Sequence, residues 1–478
     1  MGNDNVKPQV FLDYQNEYAR YKKLYTRITS CSVDVLVGRP TPYGNGPIGI
    51  REIDVLVGRP TSYGNGLTDA QTTRVDNTLG GSVDPTRVGK IPPHVLQPIF
   101  IHARVPRQFN VSPALSHTHT LNNHSEMEYN YIISCFLLVI QFLVLVTKIE
   151  SKVPAIVVFG DSSVDAGNNN FIPTIARSNF KPYGRDFAGG RATGRFSNGR
   201  IATDFISQAM GLKPTIPAYL DPAYNISAFA IGVTFASAAT GYDNATADVL
   251  SVIPLWKQLE YYKEYQKRLK AYMGESKASR TISEALYMTS IGTNDFLENY
   301  YTMPGRSRQY TPGEYENFLV GIAKNFVKEL YGLGARKISL GGIPPMGCMP
   351  LERTTNMAGS YDCVEKYNKV ALEFNNKLKN MIVELNKELP GIKLVFSDPY
   401  FVLQSIIKRP SLYGFQVTGA GCCATGMYEM GYACARTSMF TCTDANKYVF
   451  WDAFHPTEKT NHIIAAYMVK HVLAEFNA

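Results

Sequence analysis

The sequence predicts an α/β fold, with one parallel β-sheet covered by helices on both faces, in a domain at 152–478. Short apolar, β-branched runs alternate with longer amphipathic stretches, which is the pattern of strand–helix–strand units. The apolar runs are nearly continuous, as expected for strands that are buried on both faces. Polar clusters follow these runs directly, at the edge where parallel sheets place their binding sites.

Each apolar run is a candidate strand and each amphipathic stretch is a candidate helix. The strands are expected at 155–159, 232–236, 285–291, 337–341 and 393–397. The helices are expected at 200–210, 253–273, 315–334, 364–391 and 456–476. Two of these helices run up to Gly334 and Gly391, and glycine commonly ends a helix because it readily adopts a left-handed backbone conformation. Five strands with intervening helices predict one five-stranded sheet.

The segment before this domain has the pattern of a signal peptide. Fifteen residues, Ile132 to Val146, include only two clearly polar side chains, and Met127 precedes them. A membrane-spanning helix needs about 20 apolar residues. We therefore expect a signal peptide at 127–151, a secreted extracellular protein, and no stable membrane span after the signal is removed. A buried strand or helix, or an uncleaved anchor, is the alternative, and Glu128 departs from the usual basic start.

Residues 1–126 have a different composition from the domain. The stretch VDVLVGRPTPYGNG at 33–46 recurs almost unchanged at 53–66, and two copies are too few for a solenoid. The remainder is rich in Gly, Pro, Thr and Arg and has little periodicity, so it cannot bury enough apolar surface to offset chain entropy. We expect a disordered, low-complexity extension, which a mis-assigned start would explain.

The charge pattern gives no indication of a nucleic-acid partner. The formal net charge is +8 with a pI of about 8.8, and the Lys and Arg residues are scattered along the chain. A nucleic-acid-binding protein would concentrate them in one patch. We expect a monomer that acts on a small molecule.

Four polar clusters lie where strands end or before the last helix. They are GDSS at 160–163, SAATGYD at 237–243, GTND at 292–295 and FWDAFHP at 450–456. Ester hydrolysis by serine requires a hydroxyl, a base, an acid that orients the base, and donors for an oxyanion. Asp452 and His455, three residues apart, can reach the same side of a turn and act on Ser162. Alone, a serine after a strand is more often a turn or N-cap residue.

The sequence around Ser162 is not the G-x-S-x-G elbow of α/β-hydrolases. FGDSSVDAGNNN at 159–170 instead resembles the first block of the GDSL lipase/esterase family, the SGNH hydrolases, in its plant form. Further blocks follow in the family's order and extend the resemblance over about 153–475. They are GVTFASAATGYD, IGTNDF and YVFWDAFHPTE, with GRFSNGR and GIPPMGCMP typical of the plant branch.

The resemblance implies a three-layer α/β/α sandwich with a five-stranded parallel sheet, flavodoxin-like, and a reaction that needs no metal and no cofactor. It assigns the nucleophile to Ser162, the base to His455 and the acid to Asp452. It assigns the oxyanion hole to the Gly241 N–H, the Asn294 side chain and the N–H of the nucleophile.

Two positions depart from the family pattern. Ser163 stands where the family name has leucine, and alanines at 238 and 239 stand where many members have glycine. The second departure makes Gly241 the least secure of these assignments.

The predicted activity is that of a secreted serine esterase or lipase acting on acyl or acetyl esters. An acyltransferase using the same site is the alternative, since an alcohol can replace water as the acceptor. A binding protein that kept the fold without catalysis is a third reading, and the complete set of Ser162, Asn294, Asp452 and His455 argues against it. Lipids, cell-wall acetyl esters and specialised metabolites all remain open as substrates.

Secretion would favour disulfides among the six cysteines of the domain. These are Cys348, Cys363, Cys422, Cys423, Cys434 and Cys442. We expect Cys348 and Cys363 to form a local pair and the other four to hold the loop before His455. A zinc site is disfavoured because the spacing lacks C-x-x-C. Asn225 and Asn244 begin N-x-S/T sequons and are candidate glycosylation sites.

Overall fold

Five parallel strands form the central sheet of the structure, a computed structural model that describes residues 153–356, 362–436 and 438–477. The strands are β1 (Ile156–Gly160), β2 (Gly232–Thr234), β3 (Leu286–Ser290), β4 (Lys337–Gly341) and β5 (Lys393–Ser397). Their order across the sheet is β2-β1-β3-β4-β5, and each neighbouring pair is parallel. The predicted fold class is confirmed, and each predicted strand is present within a few residues of its expected bounds.

Helices flank this sheet. They are α1 (Ala202–Ala209), α2 (Ile226–Phe229), α3 (Asn244–Val249), α4 (Leu255–Met273), α5 (Glu275–Glu284), α6 (Pro312–Gly332), α7 (Pro350–Thr355), α8 (Glu365–Glu388), α9 (Pro399–Lys408), α10 (Tyr432–Arg436) and α11 (Glu458–His471). The five predicted helices correspond to α1, α4, α6, α8 and α11. The sequence patterns did not predict α5 and α9, which have ten residues each.

Alternate residues of the strands pack into two separate apolar layers. On β1, Val157 and Phe159 belong to the large cluster that includes Tyr262 of α4 and Phe326 of α6. Ile156 and Val158 belong to the cluster that includes Ile206 of α1 and Ala465 of α11. Successive side chains of a strand point to opposite faces, so the apolar run of β1 is buried on both sides. This arrangement is the three-layer α/β/α sandwich.

A second, two-stranded parallel sheet lies outside the main one. It consists of β6 (Val417–Gly421) and β7 (Tyr448–Phe450). The sequence did not predict β6, because its residues, VTGAG, contain two glycines and no apolar run. The strand β7 leads directly into FWDAFHP, so this small sheet supports the last polar cluster.

Several sequence-based expectations fall outside the described residues. These are the extension at 1–126, the signal peptide at 127–151 and the first residue of the predicted domain, Lys152. Among the described residues, no helix is both long enough and apolar enough to cross a membrane.

Candidate active site

Ser162 lies at the carboxyl end of β1 in a tight turn. Gly160 has a φ of 143°, and a Cβ at this position would collide with the backbone carbonyl of Ser290 on β3. The Asp161 N–H donates to that carbonyl at 3.0 Å, and its carboxylate accepts from the N–H and hydroxyl of Ser163 at 2.9 and 2.7 Å. These contacts fix the turn and hold Ser162 at the edge of the sheet.

The asparagines of FGDSSVDAGNNN join this turn to the end of β2. Asn168 Nδ2 donates to the carbonyls of Thr234 and Ala236 at 3.0 and 2.8 Å. Asn169 Nδ2 donates to the carbonyl of Ala238 at 3.1 Å. The first block therefore positions both the serine and the loop that follows β2.

Asp452 and His455 form a compact turn after β7. Asp452 Oδ1 accepts from the N–H groups of Phe454 and His455 at 2.8 and 2.6 Å. His455 Nδ1 lies 2.8 Å from Asp452 Oδ2, and His455 Nε2 lies 2.8 Å from Ser162 Oγ. When Nδ1 carries the proton toward Asp452, Nε2 accepts a hydrogen bond from the Ser162 hydroxyl. The structure brings these three predicted residues together, and all three are buried.

Tyr183 is a neighbour of this cluster that sequence reasoning missed. Its hydroxyl donates to Asp452 Oδ2 at 2.6 Å and accepts from the Gly431 N–H at 2.7 Å. The ring is fully buried. Burial and the Asp452 carboxylate hold the pKa of Tyr183 well above its usual value, so the phenol stays protonated and remains a donor.

Asn294 follows β3 and is 2% exposed. Its Nδ2 donates to the carbonyl of Thr240 at 2.9 Å, which fixes the side-chain amide beside the loop after β2. The next residue, Asp295, accepts from the N–H groups of Tyr242 and Asp243 at 2.7 and 3.0 Å. Burial raises the pKa of Asp295 to about 7. Asn294 and Asp295, the last two residues of GTND, therefore both hold the SAATGYD loop in place.

The loop after β2 presents Ala239, and not Gly241, to the space beside Ser162. Ala239 has a φ of 67°, a left-handed conformation that favours glycine. Among the described residues, Ala239 lines the cleft and Gly241 does not. Gly241 packs on the Asp295 carboxylate, with which a Cβ at this position would collide. The structure therefore separates Gly241 from the other predicted site residues.

A cleft of about 610 Å³ opens over Ser162 and His455. Most of its lining side chains are apolar, and they include Phe180, Phe196 and Phe454. Within the described parts of the chain, no group of three or more His, Cys, Asp or Glu could hold a metal ion. The cleft suits an uncharged organic substrate better than an ionic one.

Three cysteine pairs are bonded in the structure. Cys348 bonds to Cys363, as the sequence predicted. The remaining bonds are Cys422–Cys442 and Cys423–Cys434. Both close loops in the segment between β6 and β7, which also contains Gly431, the partner of Tyr183. The pairing thus fixes the segment that leads to His455.

The two predicted sequons in the domain are both accessible. Asn225 and Asn244 are exposed. The Asn225 side-chain oxygen accepts from the N–H groups of Ser227 and Ala228 as the N-cap of α2, which leaves its nitrogen directed away from the cap.

Comparison with known proteins identifies the family. Residues 156–468 match the family model described as GDSL-like Lipase/Acylhydrolase. The chain belongs to the GDSL esterase/lipase family. A GDSL esterase/lipase of Arabidopsis thaliana is 68% identical over 325 residues, which are 68% of this chain and 93% of the relative. Two more from this plant are 58% identical over 342 residues and 57% identical over 350 residues, covering 98% and 100% of the relatives and 72% and 73% of this chain.

Membership in the GDSL esterase/lipase family sets the reaction class. The chain is a carboxylic ester hydrolase, and its substrates are small-molecule esters. Of the site residues that the resemblance implied, Ser162, Asn294 and His455 line the cleft. Asp452 contacts His455 Nδ1 from behind the cleft lining, and Gly241 packs on Asp295.

Proposed function

We propose that the chain hydrolyses esters with Ser162 as the nucleophile, His455 as the general base and Asp452 as the residue that orients the base. The observation that supports this most is the continuous set of hydrogen bonds from Ser162 Oγ through both ring nitrogens of His455 to Asp452, with distances of 2.8 Å at both steps.

The reaction proceeds in two acyl-transfer steps. His455 Nε2 takes the Ser162 proton while Oγ bonds to the acyl carbon, and the carbonyl electron pair moves onto its oxygen. The tetrahedral intermediate then expels the alcohol, which receives the proton from Nε2. Water attacks the acyl-enzyme by the same route and releases the carboxylic acid. Asp452 orients the His455 ring and stabilises the imidazolium that forms at each step.

We propose that three groups donate to the oxyanion: the Asn294 amide and the backbone N–H groups of Ser162 and Ala239. All three residues line the cleft. Among the described residues, no hydrogen bond uses either of these two backbone N–H groups. We assign to Gly241 the tight packing against Asp295 instead. Each oxyanion donor contributes a factor of about 10²–10³ to turnover.

Hydrolysis of a series of short- to long-chain p-nitrophenyl acyl esters tests the proposed function. Because the cleft is bounded and mostly apolar, we expect measurable turnover with an optimum at one acyl length. If no ester of the series is hydrolysed faster than in the uncatalysed reaction, the proposal is contradicted.

Acyl transfer is the second candidate for this site. The apolar lining that admits a leaving alcohol also admits an accepting one. Product analysis with an added alcohol separates the two activities. Free acid as the main product supports hydrolysis, whereas a new ester as the main product supports transfer.

We also propose that the protein is secreted, with a signal peptide at 127–151 and the natural start at Met127. Support comes from a relative whose entire length aligns over 350 residues, only 73% of this chain, and from three disulfides, which persist in oxidising compartments. Mass spectrometry of the N-terminal peptide tests this. We expect the mature chain to begin near Lys152, and a mature protein that retains residues 1–126 would contradict it.

Replacing Tyr183 by Phe is expected to lower kcat about tenfold to a hundredfold, because a hydrogen bond to a charged group contributes about 1.5–3 kcal/mol. The change removes the donor to Asp452 Oδ2, and the KM for a short ester should change little. Tyr242→Phe is the matched control, because the Tyr242 hydroxyl is buried and has no partner among the described residues. An equal decrease in kcat in Tyr183→Phe and Tyr242→Phe would mean that Tyr183 acts only through packing.

A further inference from the structure

Glu298 is a carboxyl group in the cleft that the proposed mechanism does not use. It lines the cleft together with Ser162, Asn294 and His455. Its Oε2 atom is buried and has no hydrogen-bond partner within the described residues. A buried polar atom without a partner is unfavourable, and a ligand in the cleft can supply a partner to this carboxyl group.

The segment that carries Glu298 is held in place on both sides of it. It is a π-helical turn, Asp295–Thr302, and such turns occur frequently at functional sites. Asp295 accepts three hydrogen bonds from the loop after β2 and from Thr246. Asn299 donates to Thr246 Oγ1 and to Tyr315 Oη at 3.0 and 3.2 Å. Glu298 is therefore presented to the cleft by a fixed backbone.

Burial and two nearby carboxylates keep Glu298 neutral. Burial, followed by the nearby Asp161 and Asp295 carboxylates, raises its pKa to about 8. Arg177, Tyr432 and His455 are the other charged or titratable side chains of the cleft lining. The charges that shift the pKa of Glu298 are those of Asp161 and Asp295, and both raise it. Below about pH 8 Glu298 is thus a carboxylic acid that can donate one hydrogen bond and accept others.

We propose that Glu298 binds a hydroxyl group of the substrate, so that the preferred ester carries a hydroxyl near the ester bond. This inference rests on the proposed function, because it places the substrate over Ser162. A neutral carboxyl in a mostly apolar cleft suits an uncharged hydroxyl. A site built to bind a hydroxyl discriminates strongly against the analogue that lacks it, because its buried polar group is then left unpaired.

Matched pairs of esters test the proposal and identify which side of the ester carries the hydroxyl. Ethyl 3-hydroxybutyrate is compared with ethyl butyrate for the acyl side, and 2-hydroxyethyl butyrate with propyl butyrate for the alcohol side. Acid release is followed by titration. We expect the wild type to prefer the hydroxylated ester of one pair by about tenfold or more in kcat/KM. Equal kcat/KM within both pairs would overturn the proposal without any variant.

Two substitutions assign the preference to Glu298. Glu298→Leu should abolish it, so that the two esters of the pair are hydrolysed with equal kcat/KM. Glu298→Gln keeps a neutral donor and acceptor and should retain it. Glu352→Gln is the matched control, because Glu352 also has a buried carboxyl with a pKa raised to about 7 and does not line the cleft. A preference that survives in Glu298→Leu would overturn the proposal.

The pH profile distinguishes a neutral acid from an anion. Since the carboxyl of Glu298 ionises above about pH 8, the wild type should lose its preference there, while Glu298→Gln keeps it. A wild-type preference that increases above pH 8 and is absent in Glu298→Gln would mean that the anion binds, and would contradict the proposal. Failure of the proposed function gives a different result, because no ester would then be hydrolysed and Ser162 would not react with a serine-directed probe.

Discussion

Ser162→Ala is expected to lower kcat for p-nitrophenyl acetate by about 10⁶-fold, to a residual rate supported by the oxyanion donors alone. Removing Oγ removes the only atom of the turn that lies 2.8 Å from His455 Nε2. The fold should be unaffected, since the turn is fixed by Gly160 and by the hydrogen bonds of Asp161. The rate is measured by release of p-nitrophenol and the fold by the thermal unfolding midpoint.

Ser163→Ala is the matched control for this variant. Ser163 is the next residue, and its hydroxyl bonds to Asp161 and to Ser290 at 2.7 Å each, away from His455. We expect it to retain most of the wild-type rate. Comparable turnover in Ser162→Ala and wild type would refute the assignment of the nucleophile, whatever the result for Ser163→Ala.

Asp452→Asn is expected to have the second largest effect, a loss of about 10⁴-fold in kcat, as the same change has in the serine-protease triad. An amide at this position presents its NH₂ group to His455 Nδ1, so that Nδ1 becomes the acceptor and the proton moves to Nε2. Nε2 can then no longer accept the Ser162 proton. The side chain keeps its size, so the packing around Tyr183 should persist.

The half-buried N-cap residue Asp444 supplies the control, because its carboxylate also accepts from a backbone N–H, that of Asn446 at 3.0 Å. Asp444→Asn should leave kcat nearly unchanged. If Asp452→Asn lowers the thermal unfolding midpoint markedly as well as kcat, the loss of activity would indicate misfolding and not a wrong tautomer of His455. Full activity in Asp452→Asn would exclude the proposed role of the carboxylate.

The parts of the fold that the sequence could predict are those with a local signal. The strand β1 is an apolar run buried on both faces, and Asp452 and His455 are three residues apart, so their pairing in a turn is visible in the sequence. By contrast, β6 is a glycine-containing strand without an apolar run. Its pairing with β7 depends on tertiary contacts that no local pattern shows.

The residues around Ser162 and Asp452 that the sequence did not single out lack such a local signal. Tyr183 and Asp452 are separated by 269 positions, so their contact exists only once the fold is formed. Ala239 adopts a φ of 67°, a conformation that favours glycine, whereas the family resemblance assigned the oxyanion N–H to Gly241. Nothing in the sequence distinguishes Glu298 from the other glutamates. The structure does, because its Oε2 atom is buried without a hydrogen-bond partner among the described residues.

The most direct test of the account is labelling of the wild-type protein with a fluorophosphonate probe, followed by mass spectrometry of the labelled peptide. The probe reacts with a serine hydroxyl that a neighbouring base activates. We expect one modified serine, Ser162, in the peptide that contains FGDSSVDAGNNN, and no labelling of Ser162→Ala. Labelling at a different serine, or no labelling of an active preparation, would contradict the central claim that Ser162, His455 and Asp452 form the catalytic unit.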